Sequence, residues 1–361
     1  MKNKRLLILA LLTLVIIVAA SISTNKRAPQ TVIEKINLSP DLQSQINNVA
    51  QIIIESADGA VHIAKDGNEW VVMQADNYPA RFDKVKKLVL DTADLYVLSE
   101  KTSNPALFNE LGVEDITEEN SDSTLLTLLD SSGTSLTSII VGNSRTQDSV
   151  YVRTADSNNT YLVSGQPDVA TNPTDWIEKT LFNVADERVM EVVIEHPDGD
   201  ILNLTRAQGE ENFTLTNIPE GRKSRSEYFT NQPGTFLSNV SILDAKSREV
   251  FSFPEQPVKT TIATYDGLVA TINSAKVNGQ DHTSLEFSVD ESLYTSTQDM
   301  ADDSAIVIGE EEPATLDIKQ EVQGLNDKVR GWVFVIPQAK HLILSKTTSE
   351  LTDVIEEESS L

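Results

Sequence analysis

The chain has 361 residues, with 29 Lys+Arg against 55 Asp+Glu, a formal net charge of −26, and no cysteine. A surface this negative repels a phosphate backbone, which argues against nucleic acid as a partner. The lack of cysteine excludes disulfides, cysteine nucleophiles and Cys-based zinc sites.

The run from Leu6 to Ile22 is apolar except for Thr13 and Ser21, and it follows Lys2, Lys4 and Arg5. Charge followed by an apolar stretch marks a targeting segment or an anchor. At 1.5 Å per residue the run covers roughly 26 Å, close to a hydrocarbon core, so an uncleaved transmembrane helix and a cleaved signal both fit. The anchor is the favoured reading, because bulky residues persist through Val15, Ile16, Ile17 and Val18 without a polar stretch before Ala19 and Ala20. The positive-inside rule then expects a single pass with a cytoplasmic N-terminus and an extracytoplasmic bulk. Residues 1–27 form this segment and residues 28–48, with Pro29 and Pro40, read as a polar tether.

From residue 49 the chain repeats itself. Val49, Ile54, Glu55, Asp58 and Gly59 recur as Val189, Ile194, Glu195, Asp198 and Gly199, and Ile52 and Ile53 face Val192 and Val193. Each copy reads as a strand, an Asp-Gly turn and a second strand, followed by an aromatic strand at Trp70 or Phe213. Val85, Leu88, Val89, Thr92, Leu95 and Tyr96 then form one helical stripe, with Asp83 available as a cap. Phe236, Leu237, Val240 and Leu243 read as a weaker counterpart helix. Strands are expected at 124–129, 138–141, 149–153 and 160–163, and a helix at 174–182. A looser third copy starts at Thr260, with Asp266-Gly267 as its turn and Trp332 in its aromatic strand.

The expected architecture is α+β, built from repeated antiparallel β-hairpin plus helix units behind an N-terminal transmembrane helix. Its segments are 49–185 (first unit with a β-rich extension), 186–250 (second unit), 251–346 (third unit) and 347–361 (acidic tail).

P-loop, nucleophile-elbow, zinc-protease and EF-hand signatures are all missing from the sequence. His62, His196, His282 and His341 are scattered, and a structural role outweighs metal ligation for them. For Asp58, Asp198 and Asp266 the demands of a turn outweigh a carboxylate cluster, and for Trp70, Phe213 and Trp332 core packing outweighs sugar stacking. The runs Glu310-Glu311-Glu312 and Glu356-Glu357-Glu358 read as solvated. No catalytic, cofactor-binding or metal-binding residue is expected.

The strand at Trp70, the stretch from Leu107 through Phe108 to Gly112 and Val113, the succession Ile140-Val141-Gly142, Val150-Tyr151-Val152-Arg153 and Tyr161-Leu162-Val163, and the Trp176-Ile177-Glu178-Lys179 segment together resemble bacterial proteins of domain of unknown function 4340. Phe213 stands where that family would have Trp. The resemblance implies a single-anchor envelope protein of the bacterial inner membrane with its bulk in the periplasm, similar in context to accessory components of ABC-2-type permeases and gliding-motility-like systems, with no catalytic residues to carry over. The expected function is therefore a non-enzymatic extracytoplasmic accessory protein, with a membrane permease and a separate ATPase subunit as partners. The alternatives are a glycan- or peptidoglycan-binding module and a hydrolase with a dispersed acidic site.

Overall fold

Val49, Ile52 and Ile54 are buried, a spacing of three and then two that simple strand alternation does not give. A bulge between Val49 and Gln51 accounts for it by inserting one residue and restoring the inward face. Val189, Val192 and Ile194 show the same burial, with the same bulge between Val189 and Glu191. The computed structural model in which these features occur describes residues 36–293 and 317–355.

The first half contains β1 (Val49–Ser56), β2 (Gly59–Asp66), β3 (Glu69–Val72), β4 (Tyr78–Pro79), β5 (Tyr96–Glu100), β6 (Thr124–Asp130), β7 (Ser135–Thr146), β8 (Ser149–Thr154) and β9 (Thr160–Ser164). They form one antiparallel sheet in the order β4-β3-β2-β1-β6-β7-β8-β9-β5. The second half contains β10 (Thr180–Phe182), β11 (Val189–Glu195), β12 (Ile201–Thr205), β13 (Thr214–Leu215), β14 (Arg222–Ser224), β15 (Val240–Ser241), β16 (Asp244–Ser247), β17 (Val258–Thr264), β18 (Leu268–Val277), β19 (Gln280–Val289), β20 (Trp332–Val335) and β21 (Thr352–Val354). Its main sheet runs β13-β12-β11-β17-β18-β19-β20-β16, while β10 pairs with β15 and β14 with β21. Apart from β4, the two main sheets share one topology.

The duplication therefore extends beyond the hairpins. Residues 251–346, read from sequence as a third unit, add strands to the sheet of the second, and β17 and β18 correspond to β6 and β7. Register makes the match residue by residue. Ile54 faces Leu126, which faces Ile139, as Ile194 faces Thr260, which faces Ile272. One row further, Val141 faces Val152 as Ser274 faces Thr283. Three apolar core positions of the first half, Leu126, Val141 and Val152, are thus Thr260, Ser274 and Thr283 in the second. All three hydroxyl residues are no more than 1% exposed, and none of the three hydroxyls has a hydrogen-bond partner among the described residues.

The helices are α1 (Pro40–Gln45), α2 (Phe82–Ala93), α3 (Phe108–Leu111), α4 (Glu227–Asn231), α5 (Ile318–Val329), α6 (Gln338–Leu344) and α7 (Thr348–Leu351). In α2 the predicted stripe is the buried one over Val85, Leu88, Val89 and Thr92, but the helix ends at Ala93, so Leu95 lies past it and Tyr96 opens β5 instead. Its N-cap is Arg81, without a side-chain cap bond, and Asp83 lies instead in the first turn, 3.3 Å from Arg81. The guanidinium N–H donating to Asp83 lowers the pKa of that carboxyl.

The predicted counterpart helix at Phe236–Leu243 is replaced by α4, a 3₁₀ turn at Gln232–Thr235, and β15. Pro233 lacks a helix donor, and a Cβ on Gly234 would overlap the ring of Phe213. The inward pattern survives the broken helix: buried Thr230, Pro233, Gly234, Leu237 and Val240 repeat the spacing of Val85, Leu88, Val89, Thr92 and Leu95. The helix expected at 174–182 is likewise a 3₁₀ turn, Pro173–Asp175, followed by β10. The Asn172 side chain accepts from Thr174 N–H at 3.0 Å to start that turn, and Thr180 and Phe182 pair with Ser241 and Val240.

Two segments expected to be loose are built into the fold. In the tether, α1 buries Leu42, and in the acidic tail α7 carries a full capping box between Thr347 and Glu350 before β21. The halves meet where Tyr78 stands edge-on to Trp332 at 4.8 Å and to Phe334 at 6.0 Å, and Asp76 accepts from Ser247 N–H at 3.0 Å. No helix among the described residues is long and apolar enough to cross a membrane. The predicted span at residues 6–22, the first part of the tether, and the Glu310–312 and Glu356–358 runs lie outside the described residues.

Candidate functional site

The short motifs at 107–113, 140–142 and 150–153 converge on the outer face of the first sheet. The connection from β5 to β6 folds across that face, and Phe108, Val113 and Ile140 form a small core of their own, flanked by Leu111, Leu125 and Tyr151. Gly142 permits the contact, since a Cβ there would lie 2.5 Å from the Leu111 carbonyl oxygen and 2.6 Å from that of Gly112. Arg153 locks the cover. Its Nε donates to Val113 O at 2.8 Å, its Nη2 to Asp115 Oδ1 at 2.7 Å, and its guanidinium lies 4.8 Å from the Phe108 ring. Beside it Glu114 is buried, with Oε1 accepting from Asp122 N–H at 3.0 Å. The corresponding connection of the second half, 248–257, stacks Phe251 on His282 at 4.4 Å. These motifs specify packing, and they bring no nucleophile and base together.

The histidines stay apart, and each has its own setting. His62 is half-buried in β2, and His282 is buried against Phe251. His341 Nε2 lies 3.4 Å from Asp281 Oδ1. His196 sits where β11 gives way to its turn, as expected from its alignment with Ser56, and its Nε2 lies 2.8 Å from Lys346 O, tying the turn to the chain ahead of α7. Among the described residues no three His, Asp or Glu side chains are grouped as a metal site requires.

Gly199 and Gly267 hold the positive φ that their turns demand, at 91° and 90°. Gly59 does not; there the turn rests on Ser56, whose hydroxyl accepts from Asp58 N–H at 3.2 Å. Asp266 faces Arg188, which also makes a two-pronged pair with Glu321 at 2.8 Å on each arm and so joins α5 to the start of β11. That hydrogen-bonded pairing with Glu321 raises the Arg188 pKa. Trp70 and Phe213 are both buried, Trp176 is wholly buried with its indole N–H donating to Ala170 O at 2.8 Å, and Trp332 packs on Tyr78. Trp70, Trp176 and Phe213 thus offer no open stacking platform, and Trp332 is half-buried.

An open cleft of about 350 Å³ lies beside the Asp198-Gly199 turn, with Glu195, Lys259 and Asn273 from neighbouring strands and His196 and Gln256 at its sides. Lys259 Nζ is 3.6 Å from Glu195 Oε1, so the cleft presents a neutralised ion pair with amide groups. Such a surface can hydrogen-bond a small polar molecule, but it holds a single carboxylate rather than the pair that acid–base hydrolysis uses.

No curated protein and no solved structure matches the chain. Residues 70–259 match the family described as Domain of unknown function (DUF4340), a stretch that takes in β3 from Trp70 through the start of β17 and the motifs at 107–113, 140–142 and 150–153. That match covers just over half of the chain, and the protein belongs to this family.

Proposed function

We propose that the protein is a membrane-tethered, extracytoplasmic accessory protein without catalytic activity, which docks on the permease of an ABC-type transport system whose ATP hydrolysis comes from a separate ATPase subunit. The apolar run at residues 6–22 supplies the tether, with the N-terminus in the cytoplasm and the bulk in the periplasm. The observation that carries this reading is how the chain joins its tether. Val97 N–H donates to Ile36 O at 2.8 Å, Leu38 N–H to Leu95 O at 2.8 Å, and the Asn37 amide to Ala93 O at 2.6 Å. These bonds fix the point at which the chain leaves the body on its way to residues 6–22. The stretch between Arg27 and Ile36 spans at most about 30 Å even when fully extended. A body kept within that range suits docking against a membrane partner.

Purification of the full chain from its own membranes in mild detergent, with mass spectrometry, tests the reading. Permease and ATPase should be recovered with it, and both should be lost on deletion of residues 1–27. Repeated recovery of the chain alone would refute the proposal.

A further inference from the structure

The α2 helix has a second face. Phe82, Lys86 and Leu90 follow one another at i, i+4 and i+8, which places them in a line along the helix, on the flank of the buried stripe. Phe82 is 63% exposed and Leu90 42%. Lys86, between them, forms no ion pair among the described residues, whereas Arg81 and Lys87 are paired with Asp83 and Asp91. Ile36, 65% exposed, lies at the same end of the helix as Ala93, because the neighbouring Asn37 is bonded to the Ala93 carbonyl.

We infer that this face of α2, with Ile36, rests on the boundary between headgroups and acyl chains of the bilayer that holds residues 6–22. The inference depends on the tether of the proposed function. The first argument is reach: the chain leaves the described fold at Ile36, beside the C-terminal end of α2, and the stretch back to Arg27 is no longer than about 30 Å. The second is charge. A body this acidic is repelled by an anionic leaflet, so contact favours a side where apolar groups flank an unneutralised lysine. The third is pattern: an aromatic and an aliphatic side chain about 12 Å apart along a helix, with a cation between them, fit shallow interfacial insertion.

The cysteine-free chain allows single-site labelling. Phe82→Cys, Leu90→Cys, Gln208→Cys in the exposed connection after β12 of the second half, and Ile16→Cys within the apolar run would each carry an environment-sensitive fluorophore. The labelled full-length protein is reconstituted in vesicles of phosphatidylethanolamine and phosphatidylglycerol with or without quencher lipids, shallow ones for positions 82, 90 and 208 and deep ones for position 16. Labels at 82 and 90 should shift to the blue and lose about half their emission to the quencher, as expected for insertion near the headgroups, while the label at 208 is unaffected. Quenching at 16 without quenching at 82 and 90 would overturn the inference and leave the tether standing. Absence of quenching at 16 would remove the tether and the inference together. Protection of 82 and 90 only when a permease is added would overturn it in favour of a protein-docking face.

Discussion

The most demanding test of the duplicated fold is an exchange between its halves. Thr283 occupies the register of Val152, is fully buried, and has a hydroxyl with no partner among the described residues. Burying an unsatisfied polar group costs about 1–3 kcal/mol, and valine has almost the shape of threonine. Thr283→Val should therefore stabilise the protein by about 1–2 kcal/mol, while Val152→Thr should destabilise it by about 1–3 kcal/mol. For a body of this size each kcal/mol corresponds to roughly 2–4 °C in melting temperature. Urea unfolding of the full chain in mild detergent, followed by both tryptophan fluorescence and far-ultraviolet dichroism, measures both changes. If Thr283→Val were neutral or destabilising while Val152→Thr behaved as stated, the Thr283 hydroxyl would be satisfied after all. The reading of the second core as carrying uncompensated hydroxyls would then be wrong.

Gly142→Ala should cost about 1–3 kcal/mol and loosen residues 105–123, seen as faster amide exchange there, because its Cβ meets two backbone carbonyls that cannot rotate away. Gly234→Ala should be destabilising alone and largely rescued by Phe213→Leu, as read from thermal melts of the single and double variants, since the obstacle is the Phe213 ring. Arg153→Met should lose about 1–3 kcal/mol in urea titration by leaving the Val113 carbonyl without its donor, while keeping packing against Phe108. Burial, assisted by Glu178, raises the Tyr78 pKa above its ordinary value of 10.0. The folded state thus holds that proton more tightly, and the associated stability is complete below the ordinary value and declines as pH rises beyond it. Tyr78→Phe should remove that alkaline decline, measured by urea midpoints from neutral to about pH 11, with little change at neutral pH.

The paired hairpins and the α2 stripe were legible because strand and helix periodicities are local. The full extent of the duplication was not. Val49 and Val189 align at one fixed offset, but the turns of the two halves differ in length, so that offset no longer pairs Leu126 with Thr260 or Val152 with Thr283. Those pairs are also chemically unlike, and only sheet register identifies them. The broken counterpart helix was misread at Phe236 because Leu237 and Val240 are inward-facing whether or not the backbone is helical. The packing unit around Arg153 could have been suspected from Gly142 lying inside a β-rich stretch, where a glycine often marks a close backbone approach. No local signal tied it to Val113.

The sheet order also decides how neighbouring copies of the chain treat each other. Two main sheets have four outer strands, and an exposed outer strand is a template for pairing with a neighbour. Here β4 and β16 lie against each other, β13 is only two residues long, and β5 is partly covered by the chain's own Asn37, which bridges to Tyr96. The short segment at residues 36–38 therefore guards the longest remaining edge. Many copies can stand side by side without growing into a shared sheet.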